Sequence, residues 1–180
     1  MSLKKNLNSL LLQHPQKSLY FFDESRFGTH SNIGHGWFPR GSRTPAKVKL
    51  GFENFYAYSS INPTTGEDFS LILPYVNTEC FNMFLAEMSK DLGCQEIIMV
   101  LDGAGWHKSQ DLKVPPNIQM AYLPPYSPEL NPVERLWQYM KSNTIKNKVY
   151  QNLSVLEDTI CDFIKNFDRE TIKSVCSFNY

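Results

Sequence analysis

Two apolar runs, each followed at once by an aspartate, constrain the fold of this chain more than any other feature. Residues 19–22 are all apolar and precede Asp23, and residues 97–101 are all apolar and precede Asp102. Short runs without polar alternation indicate strands that are buried on both faces, as in the sheet of an α/β protein. We therefore expect both aspartates at or near the ends of buried strands, where the chain leaves the core.

Length and composition indicate one domain without a strong overall charge. The chain has 180 residues, of which 42% are apolar, and this is enough for a sizeable core in a single domain. Its 18 basic residues balance 18 acidic ones, so any contact with nucleic acid must come from local patches. No segment resembles a signal peptide or a membrane span, and we expect a cytoplasmic protein without membrane contact. The cysteines have no CxxC spacing, which favours reduced packing residues over a zinc site: Cys80, Cys94, Cys161 and Cys176.

Periodicity along the chain predicts a mixed sheet with helices. Alternating or continuous apolar runs predict strands, and apolar residues at helical spacing predict helices. The predicted strands cover residues 18–23, 34–39, 48–58, 69–73, 95–102 and 118–123, and the predicted helices cover residues 81–92, 132–143 and 153–167. This order is that of a layered α/β domain. We assign residues 1–17 to an N-terminal extension, 18–167 to the domain and 168–180 to a tail.

A third acid, Glu134, lies in the opening turn of the helix predicted after Asn131. Carboxylates at two strand ends and a helix start can converge at one edge of a sheet, where their oxygens would hold hard divalent cations such as Mg²⁺. Such an arrangement suggests metal-dependent phosphodiester chemistry. Other roles remain open, because Asp23 and Asp102 could begin turns. On spacing alone, a capping box between Asn131 and Glu134 is the favoured role of that glutamate.

Two further acids lie close to these three in the sequence. Glu24 follows Asp23 directly, and alternation along a strand should point it to the opposite face. Glu129 precedes the predicted helix and belongs to a loop. We expect both side chains to be solvated.

The segments around the three acids are more specific than the acids themselves. Their sequences are FDESRF at residues 22–27, LDGAGWHK at residues 101–108 and LPPYSPELNPVERLW at residues 123–137. These segments closely resemble the three catalytic blocks of DDE transposases, nearest to the bacterial insertion-sequence branch of the mariner-type (Tc/mariner) superfamily. The resemblance runs from about residue 18 to residue 167 and keeps the family's block order.

The resemblance implies a ribonuclease H-like fold, with a mixed central sheet flanked by helices and with the first and fourth strands side by side. It implies that the catalytic and metal-binding residues are Asp23, Asp102 and Glu134, with two Mg²⁺ or Mn²⁺ ions in each site. Asp23 would bridge the ions, Asp102 would hold one of them, and Glu134 would hold the other or a metal-bound water. The implied activity is DNA strand cleavage followed by strand transfer, as in DNA transposition and integration.

Several basic residues are candidates for phosphate contacts, which position DNA without reading its sequence. A solvated surface is the usual role of such residues, and His107 could instead cap a helical turn. Trp37 and Trp106 could stack on a base, although an aromatic residue in an apolar strand is more often core, and Trp137 is predicted as core. The candidate DNA contacts are Arg40, Arg43, Lys47, Lys49, His107, Lys108, Arg135 and Lys141.

DNA is the expected partner, both as transposon ends and as target. The family carries helix-turn-helix modules ahead of its catalytic domain, and here fewer than twenty residues precede the first predicted strand. We therefore expect a helix-turn-helix region to be missing from this chain, and a homodimer is possible. Two alternatives remain open: a catalytically silent or domesticated DNA-binding remnant, and a nuclease of the same fold without strand transfer.

Overall fold

The computed structural model of the protein describes residues 9, 12–30, 40, 51–146 and 148–177. The strand predicted at residues 34–39, with Trp37, lies outside the described residues, and so does the start of the strand predicted at residues 48–58. Within the described part of the chain, no helix combines the length and the apolar character needed to cross a bilayer.

Five strands form one mixed sheet at the centre of the described residues. Its order is β3-β2-β1-β4-β5, with antiparallel pairing among β1, β2 and β3 and parallel pairing of β4 with both β1 and β5. The predicted mixed sheet is thus confirmed, and so is the predicted adjacency of the first and fourth strands. The strands are β1 (Ser18–Gly28), β2 (Asn54–Ile61), β3 (Asp68–Leu73), β4 (Ile97–Leu101) and β5 (Ile118–Tyr122).

Helices pack on both faces of this sheet. They include α1 (Thr78–Leu92), α2 (Val133–Thr144), α3 (Leu153–Lys165) and α4 (Arg169–Val175). The first of these begins where the side chain of Asn77 accepts a hydrogen bond from the amide of Cys80. It ends at Gly93, whose φ of 57° is readily adopted only by glycine. Local sequence signals therefore set both ends of α1.

The two faces of β1 contribute to two separate cores. Phe21 and Phe27 belong to the cluster formed with α2, α3 and α4, which includes Trp137. Phe22 belongs to the cluster formed with α1, which includes Phe81. Because successive side chains of a strand point to opposite faces, neighbouring residues of β1 reach different sides of the molecule.

Asp23 does not end a strand, and that prediction is wrong because β1 continues to Gly28 in antiparallel pairing with β2. Only the first part of β1 pairs with β4, and the last pair joins Phe21 to Val100. Continuing this parallel register by two residues brings Asp23 level with Asp102, which directly follows β4. The two aspartates are thus neighbours, as predicted, although 79 positions separate them in the chain.

The segment that the sequence assigns to a tail contains α4. Asp168 begins this helix by accepting a hydrogen bond from the amide of Thr171. Ile172 and Cys176 are buried in the core on the α2 side of the sheet. A helix of two turns offers too few periodic positions for its apolar face to be recognised from the sequence. The described C-terminal residues are therefore part of the packed domain.

Replacing Ile172 with alanine should destabilise the domain, because the change removes a buried side chain that holds α4 against the core. The expected loss in the free energy of unfolding is about 2–5 kcal/mol, measured by urea denaturation. Val155→Ala is the matched control, since this side chain of α3 is 43% exposed and its loss should stay within about 0.5 kcal/mol. Equal losses in the two variants would contradict the packing of α4.

Candidate active site

The three predicted catalytic acids line a single cleft of about 480 Å³. Asp23 comes from the middle of β1, Asp102 from the first position after β4, and Glu134 from the second position of α2. Residues 123–128, in the loop between β5 and α2, line the same cleft. The structure thus brings the acids to one surface, while their metal-binding and catalytic roles stay predictions.

The surroundings of Asp23 oppose the ionisation of its carboxyl group. Burial raises the pKa of its carboxyl, and the nearby charges of Glu134 and Glu24 add to this effect, so that the pKa reaches about 8. The indole Nε1 of Trp137 donates a hydrogen bond of 2.9 Å to Oδ2 of Asp23, which partly offsets the shift. Trp137 is only 2% exposed, so its prediction as core is confirmed, but it also orients the acid. The spacing of Glu134 and Trp137, three residues apart on a helix, is the signal that could have revealed this second role.

One residue, Asn131, ties the start of α2 to β1. Its side-chain amide donates a 2.9 Å hydrogen bond to the carbonyl of Phe22, and its Oδ1 accepts a 3.2 Å hydrogen bond from the amide of Val133. Its own backbone amide donates to the carbonyl of Pro128 at 2.9 Å. A capping box would need that amide for Glu134, so the capping interpretation is wrong. The glutamate lines the cleft instead.

Asp102 is exposed in the cleft, with 60% of its side chain accessible. Its Oδ1 accepts hydrogen bonds from the amide of Ala104 at 3.1 Å and from Nδ1 of His107 at 2.8 Å. The hydrogen bond from His107 is the largest influence on the pKa of Asp102 and holds it below the ordinary value. This carboxyl is therefore ionised at neutral pH.

His107 lies inside the protein, which contradicts its predicted contact with DNA. The residue is 1% exposed, and its ring centroid lies 4.6 Å from that of Phe81. Nε2 lies 2.9 Å from Oε1 of Glu24, and Nδ1 contacts Asp102, so neither ring nitrogen is left for the alternative role of a helix cap. Burial alone would lower the pKa of His107, but the hydrogen bonds to the two carboxylates outweigh it and raise the pKa to about 9. The ring is thus protonated on both nitrogens, with one N–H donated to each acid.

Glu24 is not solvated, and that expectation is wrong. Its side chain is 8% exposed, and its Oε1 accepts hydrogen bonds from Nε2 of His107 and from the indole Nε1 of Trp106, the latter at 3.2 Å. It does point to the opposite face of β1 from Asp23, as predicted. Its two partners are 82 and 83 positions away in the chain, so no local pattern could reveal them. Glu129, by contrast, is exposed as expected.

Lys108, one of the predicted DNA contacts, lies at the cleft itself. It is exposed and lines the cleft with the three acids, and its Nζ lies 4.9 Å from the ring centroid of Tyr122. Lys141 lies on α2 beside a second cleft of about 490 Å³, with Nζ 5.5 Å from the ring centroid of Phe27. Burial lowers the pKa of Lys141, while the charges of two acids in the first cleft oppose that change.

Of the other predicted DNA contacts, Arg135 and Arg40 are described by the structure, and neither lines the acidic cleft. Arg135 is exposed, and its guanidinium donates a hydrogen bond to the carbonyl of Ser177. Arg40 is also exposed. Their contact with DNA stays a prediction. Three candidates lie outside the described residues: Arg43, Lys47 and Lys49.

Among the residues that the structure describes, no three His, Cys, Asp or Glu side chains are gathered into a ready-made metal centre. The chemistry of the three cleft acids nevertheless fits a hard divalent cation, because all of them offer carboxylate oxygens. Burial is the main cause of the raised pKa of Asp23, and the neighbouring charges of Glu134 and Glu24 add to it, so a bound cation would favour the ionised form. Mg²⁺ commonly binds through one or two carboxylates together with substrate phosphate oxygens, so an incomplete protein shell suits it.

Fold and cleft together define a class of protein. A mixed sheet in the order β3-β2-β1-β4-β5, with acids on β1, after β4 and at the start of α2, is the predicted ribonuclease H-like arrangement. More particularly, the chain belongs to the family described as DDE superfamily endonuclease, whose sequence model matches residues 18–157.

Two relatives are similar in sequence. The chain is 38% identical over 107 residues to the uncharacterized protein y4pE/y4sA of Sinorhizobium fredii (strain NBRC 101917 / NGR234), a match that covers 59% of this chain and 79% of that protein. It is 25% identical over 151 residues to the uncharacterized 39 kDa protein of insertion element IS630 from Shigella sonnei, covering 81% of this chain and 43% of that protein.

Solved structures of Mos1 transposase share the fold at low sequence identity. A pre-cleavage Mos1 transpososome matches with a TM-score of 0.73 at 12% identity, covering 96% of this chain and 56% of that chain. Mos1 paired-end complexes with Mn and with Mg match with TM-scores of 0.70 and 0.64 at 15% and 14% identity, with the same coverage. The chain therefore spans about half the length of Mos1 and less than half that of the IS630 protein.

Asp23→Asn should stabilise the cation-free protein at high pH. The amide can still accept the hydrogen bond from Trp137, but it removes a buried charge. Because folding raises the pKa of Asp23 from 3.8 to about 8, the wild type loses stability as the pH rises from about 4 through 8, whereas the variant lacks this loss. In urea denaturation with EDTA, the variant should gain about 1–3 kcal/mol over the wild type at pH 9 and much less at pH 5.

The control for this prediction is Asp111→Asn, which alters an exposed carboxylate. It should show no gain that grows with pH. If Asp23→Asn were no more stable than the wild type at pH 9, the raised pKa of Asp23 in the folded protein would be wrong.

Proposed function

We propose that this chain is the catalytic domain of a DDE transposase, which cleaves a DNA strand and transfers the cut end to target DNA. The observation that carries the proposal is the convergence of Asp23, Asp102 and Glu134 at one cleft of a DDE endonuclease. Two comparisons support it: the IS630 relative belongs to an insertion element, and the structures of Mos1 transposase, which shares the fold, include a complex with a transposon end.

The three acids would hold Mg²⁺ or Mn²⁺, two ions in each site, and such ions when bound activate a water or a 3′-hydroxyl and neutralise charge on the leaving oxygen. The Mos1 complexes with Mn and with Mg support this choice of cation. Other residues of this chain hold the carboxylates of Asp23 and Glu134 in position. Trp137 holds the carboxylate of Asp23, and Asn131 keeps the start of α2 against β1, so that Glu134 stays at the cleft.

The basic residues would guide DNA to the cleft. Lys108 is the leading candidate for the phosphates nearest the acids, because its exposed side chain lines the same cleft. Such contacts position a strand without reading its bases. Since the chain has no net charge, we expect it to bind DNA weakly and with little sequence preference. The residues proposed to contact more distant phosphates are Arg40, Arg43, Lys47, Lys49, Arg135 and Lys141.

Recognition of transposon ends is proposed to use a helix-turn-helix region outside these 180 residues, in a homodimer. The longer relatives leave room for such a region, because this chain spans 43% of the IS630 protein and 56% of Mos1. Since the proposed substrate is DNA, the cytoplasm remains the predicted location.

Substitutions at the cleft test the proposal. Asp102→Asn and Glu134→Gln keep the shapes of the side chains but replace a charged ligand with a poor one for Mg²⁺. Each should reduce Mn²⁺-dependent nicking of supercoiled plasmid by on the order of 100-fold or more, while circular dichroism shows an intact fold. Joining of a 3′-hydroxyl oligonucleotide to the plasmid, in the same reaction, distinguishes a transposase from a nuclease of the same fold.

The matched control is Asp111→Asn, which removes an exposed carboxylate that does not line the acidic cleft and should nick as the wild type does. Wild-type nicking by Glu134→Gln would remove that residue from the site. Wild-type nicking by Asp102→Asn would refute the metal-dependent mechanism.

A further inference from the structure

A buried series of hydrogen bonds connects Glu24, on the α1 face of the sheet, with Asp102 in the cleft. Oε1 of Glu24 accepts from Nε1 of Trp106 at 3.2 Å and from Nε2 of His107 at 2.9 Å, and Nδ1 of His107 donates to Oδ1 of Asp102 at 2.8 Å. The side chains of Glu24 and His107 are almost fully buried, whereas that of Asp102 is mostly exposed. A single imidazole ring thus joins an interior acid to a cleft acid.

The ring of His107 is held on every side. Its centroid lies 4.6 Å from that of Phe81 and 5.7 Å from that of Phe22, so aromatic rings restrict its rotation. The backbone amide of His107 donates to the carbonyl of Ala104 at 3.0 Å, and the backbone carbonyl of His107 accepts a hydrogen bond from the hydroxyl of Tyr122 at 2.8 Å. Both the side chain and the backbone of His107 are therefore fixed.

The hydrogen bonds to Asp102 hold only one of its two carboxylate oxygens. Its two hydrogen bonds, from Ala104 and His107, both go to Oδ1. Among the described residues, Oδ2 has no hydrogen-bond partner. A carboxylate fixed through one oxygen cannot rotate freely, and its second oxygen remains available to a ligand.

We propose that Glu24 and His107 are positioning residues for Asp102: they hold one oxygen of its carboxylate and leave the other for the divalent cation. The inference rests on the proposed metal site. Partners that orient a metal-binding group commonly affect affinity or activity by about 10–100-fold. An interior ion pair is, in addition, a poor source of stability compared with apolar packing, so stability alone is a weak reason for an acid at this place.

Two amide substitutions of His107 separate positioning from packing. In His107→Asn the amide nitrogen falls near the place of Nδ1, so it can still donate to Asp102. In His107→Gln the amide nitrogen reaches the place of Nε2, so it can donate to Glu24 instead. Both variants lose the ring, and their melting temperatures should fall by similar amounts.

The readout is the affinity of the full chain for Mn²⁺. It is measured from the electron paramagnetic resonance signal of the free ion, at a temperature where all variants are folded. His107→Gln and Glu24→Ala should bind Mn²⁺ about 10–100-fold more weakly than the wild type. His107→Asn should recover most of the affinity. The control is Glu87→Gln on α1, an exposed acid paired with Lys90, which should bind as the wild type does.

Equal affinities of His107→Asn and His107→Gln, with losses that follow their stability, would overturn the inference and leave the metal site standing. Unchanged Mn²⁺ affinity in Asp102→Asn would instead refute the proposed site itself. The two failures are therefore distinguishable.

A second, independent observation concerns Tyr126, at the rim of the same cleft. Its side chain is fully exposed, and among the described residues it is the non-glycine residue with a positive φ, 56°. A bulky L-residue adopts this backbone conformation only at a cost, and strain of this kind is often found at functional sites. Neither core packing nor local folding explains a tyrosine at this position.

We propose that Tyr126 stacks on a nucleobase of an unpaired DNA strand in the cleft. It lines the cleft together with the three acids and Lys108, which would meet the phosphates of the same strand. Pro124 and Pro125 restrict the backbone that leads to it, so the position of Tyr126 at the rim is constrained. Stacking of this kind tolerates any base, which suits a chain expected to bind DNA without sequence preference.

Tyr126→Gly should improve folding and weaken binding at the same time. Because glycine adopts a positive φ without strain, the melting temperature should rise by about 2–4 °C. Binding of a short single-stranded oligonucleotide, measured by fluorescence anisotropy at low salt, should weaken by about 5- to 150-fold. Tyr126→Phe should keep the affinity, and so should Tyr75→Ala, which removes an exposed tyrosine that does not line the cleft. Wild-type affinity in Tyr126→Gly would overturn this proposal without affecting the nicking test of the acids.

Discussion

The parallel pairing of β1 with β4 is the interaction on which the rest of the site depends. Its ladder runs from the pair Ser18 and Ile97 to the pair Phe21 and Val100, and it joins segments that are distant in the chain. Both strands supply residues to the two cores, so apolar burial on both faces stabilises their register. The last pair lies two residues before each aspartate. A slip of one residue would separate the acids and also turn apolar side chains towards the wrong face.

The position of Glu134, the third acid, depends on polar contacts rather than on strand pairing. α2 packs on the sheet through apolar residues, but such packing alone leaves a helix some freedom to slide along its axis. The bond from Asn131 to the carbonyl of Phe22 fixes the start of the helix beside Asp23, and the indole of Trp137 fixes the next turn. The polar contacts of Asn131 and Trp137 therefore set the distance between Glu134 and β1, while the apolar contacts of α2 hold the helix on the sheet.

The sequence predicted those parts of the molecule that local patterns specify. The apolar runs before Asp23 and Asp102 revealed the central strands, and the spacing of apolar residues revealed α1, α2 and α3. It did not reveal that Glu24 and His107 are partners, because their contact joins residues 83 positions apart on different elements. Nor did it reveal that β1 continues past Asp23, since the pairing with β2 that extends it depends on the partner strand. Long-range polar contacts leave no periodic trace in a single sequence.

The negatively charged groups around Asp23 have a consequence for the stability of the whole domain. If the cleft holds divalent cations as proposed, they bind the folded chain and not the unfolded one, so they act as folding ligands. At a free cation concentration a hundredfold above the dissociation constant, this linkage adds about 2.7 kcal/mol to the stability. The cation-free protein is then the form most open to proteolysis, and the cation-bound form is the more durable. Degradation would therefore remove molecules with an empty site first.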